Sequence, residues 1–74
     1  MLEINEIDGD RRNPDFGYIH YSVAKAHGIR RGSEFEVEDL GRFVAEIYVD
    51  WRPDINRRFS GFRVQEINVH GKPN

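Results

Sequence analysis

The chain has 74 residues, no cysteine and a formal net charge of −2. Disulfides and cysteine-based zinc sites are therefore excluded, and the length allows one domain with a small core, of which a dimer would bury more. With 38% hydrophobic and 32% charged residues, and nine aromatic rings, the composition is that of a folded domain and not of a disordered segment.

No run of the sequence reaches the roughly 20 apolar residues of a membrane-spanning helix. The first six residues, Met1 to Glu6, carry no basic stretch followed by an apolar one. The expectation is a soluble, cytoplasmic protein without a signal peptide or membrane partner.

Leu2, Ile4 and Ile7 mark a short first strand with imperfect alternation. Asp8 to Asp15 is a polar loop rich in turn formers. Gly17 to Tyr21 reads as a second strand, aromatic and β-branched. Ser22 is placed to cap a helix of one to two turns over residues 23–27, with Val23 and Ala26 on one face. Gly28 suits the left-handed position that ends a helix, and Ile29 would fold back on it. Gly32 serves a second turn, where the Ser33 hydroxyl can accept from a turn N–H.

Residues 34–38 alternate, with Phe35 and Val37 inward and three glutamates outward. Asp39-Leu40-Gly41 is a tight reversal. Residues 42–50 alternate again, with Phe43, Ala45, Ile47 and Val49 expected on one face. Residues 51–61 read as a long loop, after which Phe62 starts a fifth strand that slips at Gln65-Glu66 and resumes at Ile67 and Val69. The domain is thus expected over residues 1–70, with a frayed tail from His70 to Asn74. There is also an internal echo. Residues 6–19 and 46–64 share the order strand, Arg-bearing loop, glycine, strand.

The stretch from Ile19 to Val37, with Gly28-Ile29-Arg30-Arg31-Gly32-Ser33-Glu34-Phe35-Glu36-Val37 at its end, resembles the strand–helix–glycine-turn unit of the cradle-loop barrels. That group includes AbrB/SpoVT-type DNA-binding regulators and double-psi β-barrels, such as the N-terminal domains of certain AAA unfoldases. Tyr18 and Ser22 stand where the AbrB-type pattern commonly has Arg and Pro, and Ser33 replaces the usual acidic residue. The element order from Leu2 to Val69 is nearer the double-psi branch, without its second helix and second glycine-turn strand. The resemblance implies a mainly β fold of about five strands and one short helix, with a barrel either truncated or completed by a second copy of the chain. It also implies a binding module, acting on nucleic acid or on protein.

No constellation supports catalysis or a cofactor. His20, His27 and His70 have no second ligand at metal-binding spacing, so no metal site is expected. Asp8, Asp10, Asn13 and Asp15 suggest a calcium loop, but the twelfth position is Ile19 where a bidentate Glu is required. The serines have no nucleophile-elbow setting and the glycines no phosphate-loop pattern.

The arginines carry the binding expectation. Six of nine form the pairs Arg11-Arg12, Arg30-Arg31 and Arg57-Arg58, and Arg is suited to bidentate phosphate contact. They are the candidate DNA- or RNA-binding residues, against the alternative that they sit on solvated loops and balance neighbouring acids. Tyr48, Trp51 and Arg52 are the candidate protein-binding residues, against the alternative that Trp51 caps the barrel end with Arg52 shielding it. A small enzyme finds no supporting residues.

Overall fold

The structure, a computed structural model, describes residues 1–67. Its elements are β1 (Asp8–Gly9), β2 (Phe16–His20), α1 (Tyr21–His27), β3 (Glu34–Val37), β4 (Gly41–Arg52) and β5 (Arg57–Glu66), preceded by one 3-10 turn at Ile4–Glu6. The strands form one antiparallel sheet in the order β1-β2-β5-β4-β3, curled into a half-barrel. The mainly β fold with a single short helix is the one the sequence implies. The expected tail from His70, and Val69 before it, lie outside the described residues.

The N-terminal segment crosses the open side of the curl. Leu2 bridges Val37 in parallel, its N–H donating to Glu36 O at 2.8 Å. Six residues later Asp8 pairs with Tyr18 at the other side of the sheet. The expected first strand is therefore two short pieces. The 3-10 turn separates them and leaves Ile4 exposed, while Leu2 and Ile7 enter the core. Around them pack Ile19, Ala24, Ile29, Val37, Phe43, Ala45 and Val64.

Helix α1 ends as its sequence dictates. Gly28 takes φ +67°, Ile29 N–H reaches Ala24 O at 2.8 Å, and buried Ile29 folds back on the core. Its start differs from expectation. The cap is His20, whose Nδ1 accepts from Ser22 N–H at 3.0 Å, so the helix begins at Tyr21 and Ser22 lies inside it. The His20 ring sits at the end of β2, where the extended backbone aims it at the first free N–H groups. Beyond the helix, Arg30 N–H donates to Ser33 Oγ at 2.9 Å, and Gly32 at φ +90° hands the chain to β3.

The largest departure is in β4 and β5. Residues 51–61 are not a long loop: β4 runs to Arg52, the reversal takes only Pro53 to Asn56, and β5 starts at Arg57. Asn56 provides the positive φ, +56°, that closes this turn. The ladder also shifts register twice, between Ala45 and Ile47 and between Val49 and Trp51. The first shift adds one residue to β4, Glu46; at the second, Asp50 alone stands against Phe59 and Ser60, so the extra residue is on β5. Phe43 and Ala45 are buried, but Ile47 is exposed, so the single apolar face expected from Phe43 to Val49 breaks at the first bulge.

Candidate nucleic-acid interface

The end of the β4–β5 hairpin is held by a buried ion pair. Arg52 is 4% exposed, and the Asp54 side chain is fully covered. Arg52 Nε and Nη2 donate to the two Asp54 oxygens at 3.1 and 2.7 Å, a bidentate fork across Pro53. Nη1 reaches Asp8 at 3.3 Å and Nη2 reaches Gly9 O at 3.4 Å. The guanidinium lies 4.3 Å from the Tyr18 ring centre and 5.5 Å from that of Phe59.

This arrangement ties the polar loop at residues 10–15 to the hairpin turn. Asp54 also accepts from Arg11 N–H at 3.1 Å. Asp10 accepts from Arg12 N–H, Asn13 N–H and the Tyr18 hydroxyl at 2.7, 3.0 and 3.0 Å. Asn13 Oδ1 accepts from Asp15 N–H. The acids that suggest a calcium loop are thus largely spent on the loop's own architecture. Among the described residues no group of three or more His, Cys, Asp or Glu is placed to hold a metal.

The titration shifts report the same contacts. The Arg52 hydrogen bonds pull the Asp54 carboxyl below its ordinary value, against the opposing effect of burial. Those bonds hold the Arg52 guanidinium above its own. Burial, and then the bond to Asp10, pushes the Tyr18 phenol up. Elsewhere, Glu6 is lowered by its bond from Glu3 N–H and then by His27, which lies 3.4 Å away.

Trp51 and Arg52 therefore take the reverse of the places that the capping alternative gives them, and Arg52 is not available as one of the expected protein-binding residues. Arg52 is buried and occupied, and Trp51 is 45% exposed, as is Tyr48 at 49%. The second bulge causes the reversal, because it sends Trp51 outward and turns Arg52 over the Tyr18 and Phe59 rings. Sequence reasoning missed Asp54, Tyr18 and Phe59 as the partners of Arg52. The Arg-Pro-Asp spacing at a chain reversal was the one signal that pointed to Asp54.

The nine arginines divide cleanly among the described residues. Arg42 pairs with Glu34 and Glu36, Arg52 with Asp54 and Asp8, and Arg63 with Glu46. Arg11, Arg12, Arg30, Arg31, Arg57 and Arg58 are all exposed, and their side chains make no ion pair.

Position separates these six into two groups. Arg11 is joined to the 53–56 turn through Asp54, and Arg57 and Arg58 leave that turn. The two loops of the internal echo thus meet at one end of the sheet. Arg30 and Arg31 sit instead in the turn that bonds to Ala45 through Gly32 and Ser33. Ala45 is seven residues before Arg52, roughly 20 Å along β4 at about 3.3 Å per residue.

Among the described residues no helix is long and apolar enough to cross a membrane. The chain matches no protein-family model, no curated protein and no solved structure.

Proposed function

We propose that the protein is a non-enzymatic module that binds the phosphate backbone of nucleic acid through Arg11, Arg12, Arg57 and Arg58 at the hairpin end. One observation carries this reading: the arginines that occur in sequence pairs are all unpaired with acid, while the isolated ones are all engaged. An exposed guanidinium held near others without a carboxylate partner is a ready bidentate donor to phosphate. Asp54 and Asp8 are turned towards Arg52, which limits their opposition to an approaching polyanion. The resemblance to AbrB-type regulators agrees with this reading. Dimerisation, expected from the small core, belongs to the proposal too, because two copies would present two such ends and raise avidity.

Displacement of counterions by four arginines gives a slope of log affinity against log salt of about −3. Fluorescence anisotropy of a labelled oligonucleotide at rising salt measures it. The double change Arg57→Ala, Arg58→Ala is expected to roughly halve the slope, and Arg30→Ala, Arg31→Ala to leave it near the parent value. A slope near zero, or one lost equally with either double change, would sink the assignment to the hairpin end.

The exposed Tyr48 and Trp51 also favour a second reading, a docking site for a protein partner. In that case binding to nucleic acid is absent at low salt, and Trp51→Ala removes the partner.

A further inference from the structure

We infer that the hairpin end takes single-stranded nucleic acid in preference to duplex, with a base stacked on Trp51. This rests on the polyanion reading above and specifies its ligand. The ground for it is how the chain is redirected where Asp50 stands against Phe59 and Ser60. Tyr48 is opposite Phe62, and Trp51 is opposite Arg58. Tyr18, paired with Arg63, packs edge-on against Phe59, which puts Phe59 and Arg63 on one face and Phe62 and Arg58 on the other. Trp51, three residues beyond Tyr48, would face away from it on a regular strand. Arg52 instead lies over the Tyr18 and Phe59 rings, on the face of Arg63 and Ile47, so Trp51 beside it turns to the opposite face, that of Tyr48.

Both rings are about half-exposed. Tyr48 stands edge-on to Phe62, with ring centres 5.3 Å apart, and remains half-exposed. Trp51 stands across the ladder from Arg58, whose guanidinium has no acidic partner among the described residues. Directly opposite side chains on an antiparallel pair are near neighbours, so the indole and a free cation share one patch. Arg58 also lines, with His20, Asp50, Phe59 and Ser60, an open cleft of about 290 Å³. Arg58 and the Ser60 hydroxyl supply donors for a phosphate there. Asp50, the one carboxylate in the cleft, opposes a bare phosphate but accepts from a base amine or a sugar hydroxyl.

An exposed ring next to an unpaired Arg suits unstacked bases, whose faces are available in a single strand and hidden in a duplex. A ligand read by charge alone would gain nothing from Trp51 and Tyr48. An acidic protein would meet the same cations but would offer no planar face for the indole.

Trp51 is the chain's one tryptophan, so its emission reports the patch directly. The full-length protein is titrated at low salt with twelve-residue oligo-dT, with oligo-U, with a twelve-base-pair duplex and with poly-glutamate. Quenching by a single strand, with at least about tenfold weaker binding of the duplex, is expected. Whichever of oligo-dT and oligo-U binds more tightly identifies the source of the strand. Trp51→Leu should weaken single-strand binding about tenfold while leaving duplex binding unchanged, and Trp51→Tyr should restore most of it. Duplex binding as tight as single-strand binding, with emission unchanged, overturns the single-strand inference and leaves the polyanion reading standing. Equal binding of poly-glutamate assigns the face to an acidic protein and overturns it as well. Failure of every nucleic acid to bind at low salt overturns both.

Discussion

Replacing Arg52 with alanine is expected to cost about 3 kcal/mol or more, because it leaves the covered Asp54 carboxylate without its partner. For a domain of this size total stability is about 4–10 kcal/mol, so the variant loses a large share of it. Asp54→Ala should cost a similar amount, by leaving the Arg52 guanidinium buried between Tyr18 and Phe59 with only Asp8 and Gly9 O as acceptors. The double variant should lose less than the sum, since the two residues act as a unit. Urea denaturation of the four proteins gives all three numbers. Single losses below about 1 kcal/mol would mean that the pair behaves like an exposed one.

Acid should act through the same group. The folded-state carboxyl of Asp54 lies below its ordinary value of 3.8. Its contribution is therefore complete above about pH 4 and is lost as pH falls through the lowered value. The parent protein should destabilise steeply in that range, and Asp54→Asn, already weakened at neutral pH, should show a shallower decline.

The second large effect is expected at Gly61. This residue pairs with His20 on one side and Val49 on the other. A methyl group built there would run into the Ile19 carbonyl oxygen, and would lie 2.7 Å from the Phe59 ring and 3.0 Å from His20 Cα. Two of these obstacles are backbone and cannot swing aside. Gly61→Ala should cost about 3 kcal/mol, the upper end for overpacking, and should loosen Phe59 from its place over Arg52. Gly9→Ala is the matched control, since an added carbon there meets nothing within 4 Å. Its effect should stay within about 0.5 kcal/mol. Thermal melts of the two variants that agree with each other would contradict the assigned role of Gly61.

Sequence and structure agree where the controlling interactions are local. Gly28 after a short helix, Gly32 in the following turn, Val37 on an alternating strand and the Asp39–Gly41 reversal all depend on residues within a few positions. They diverge where one extra residue decides the outcome. Glu46 looks like an ordinary member of an alternating strand, as do Phe59 and Ser60, and only the β4–β5 pairing makes Glu46 an extra residue on one strand and sets Phe59 and Ser60 together against Asp50 on the other. Those two irregularities cause the exposure of Ile47, the exposure of Trp51 and the burial of Arg52. The expected long loop over residues 51–61 fails for a related reason. Its Pro, Asp and Asn are real turn residues, but they occupy only the reversal, while Arg57 and Arg58 continue the ladder despite their charge. The six unpaired arginines were legible as candidates from their pairing in sequence. Their division into an end group and a distant pair was not, because it depends on Asp54 reaching Arg11 N–H across 43 residues.

The assignment of function to the hairpin end is tested most directly by amide chemical-shift mapping. Uniformly labelled protein is titrated with a short oligonucleotide at low salt, and the perturbed amides are placed on the sheet. Shifts concentrated at residues 10–13 and 48–60, with those at 29–33 nearly still, are the expected result. Shifts centred on Arg30 and Arg31, or no shifts at saturating oligonucleotide, would contradict it.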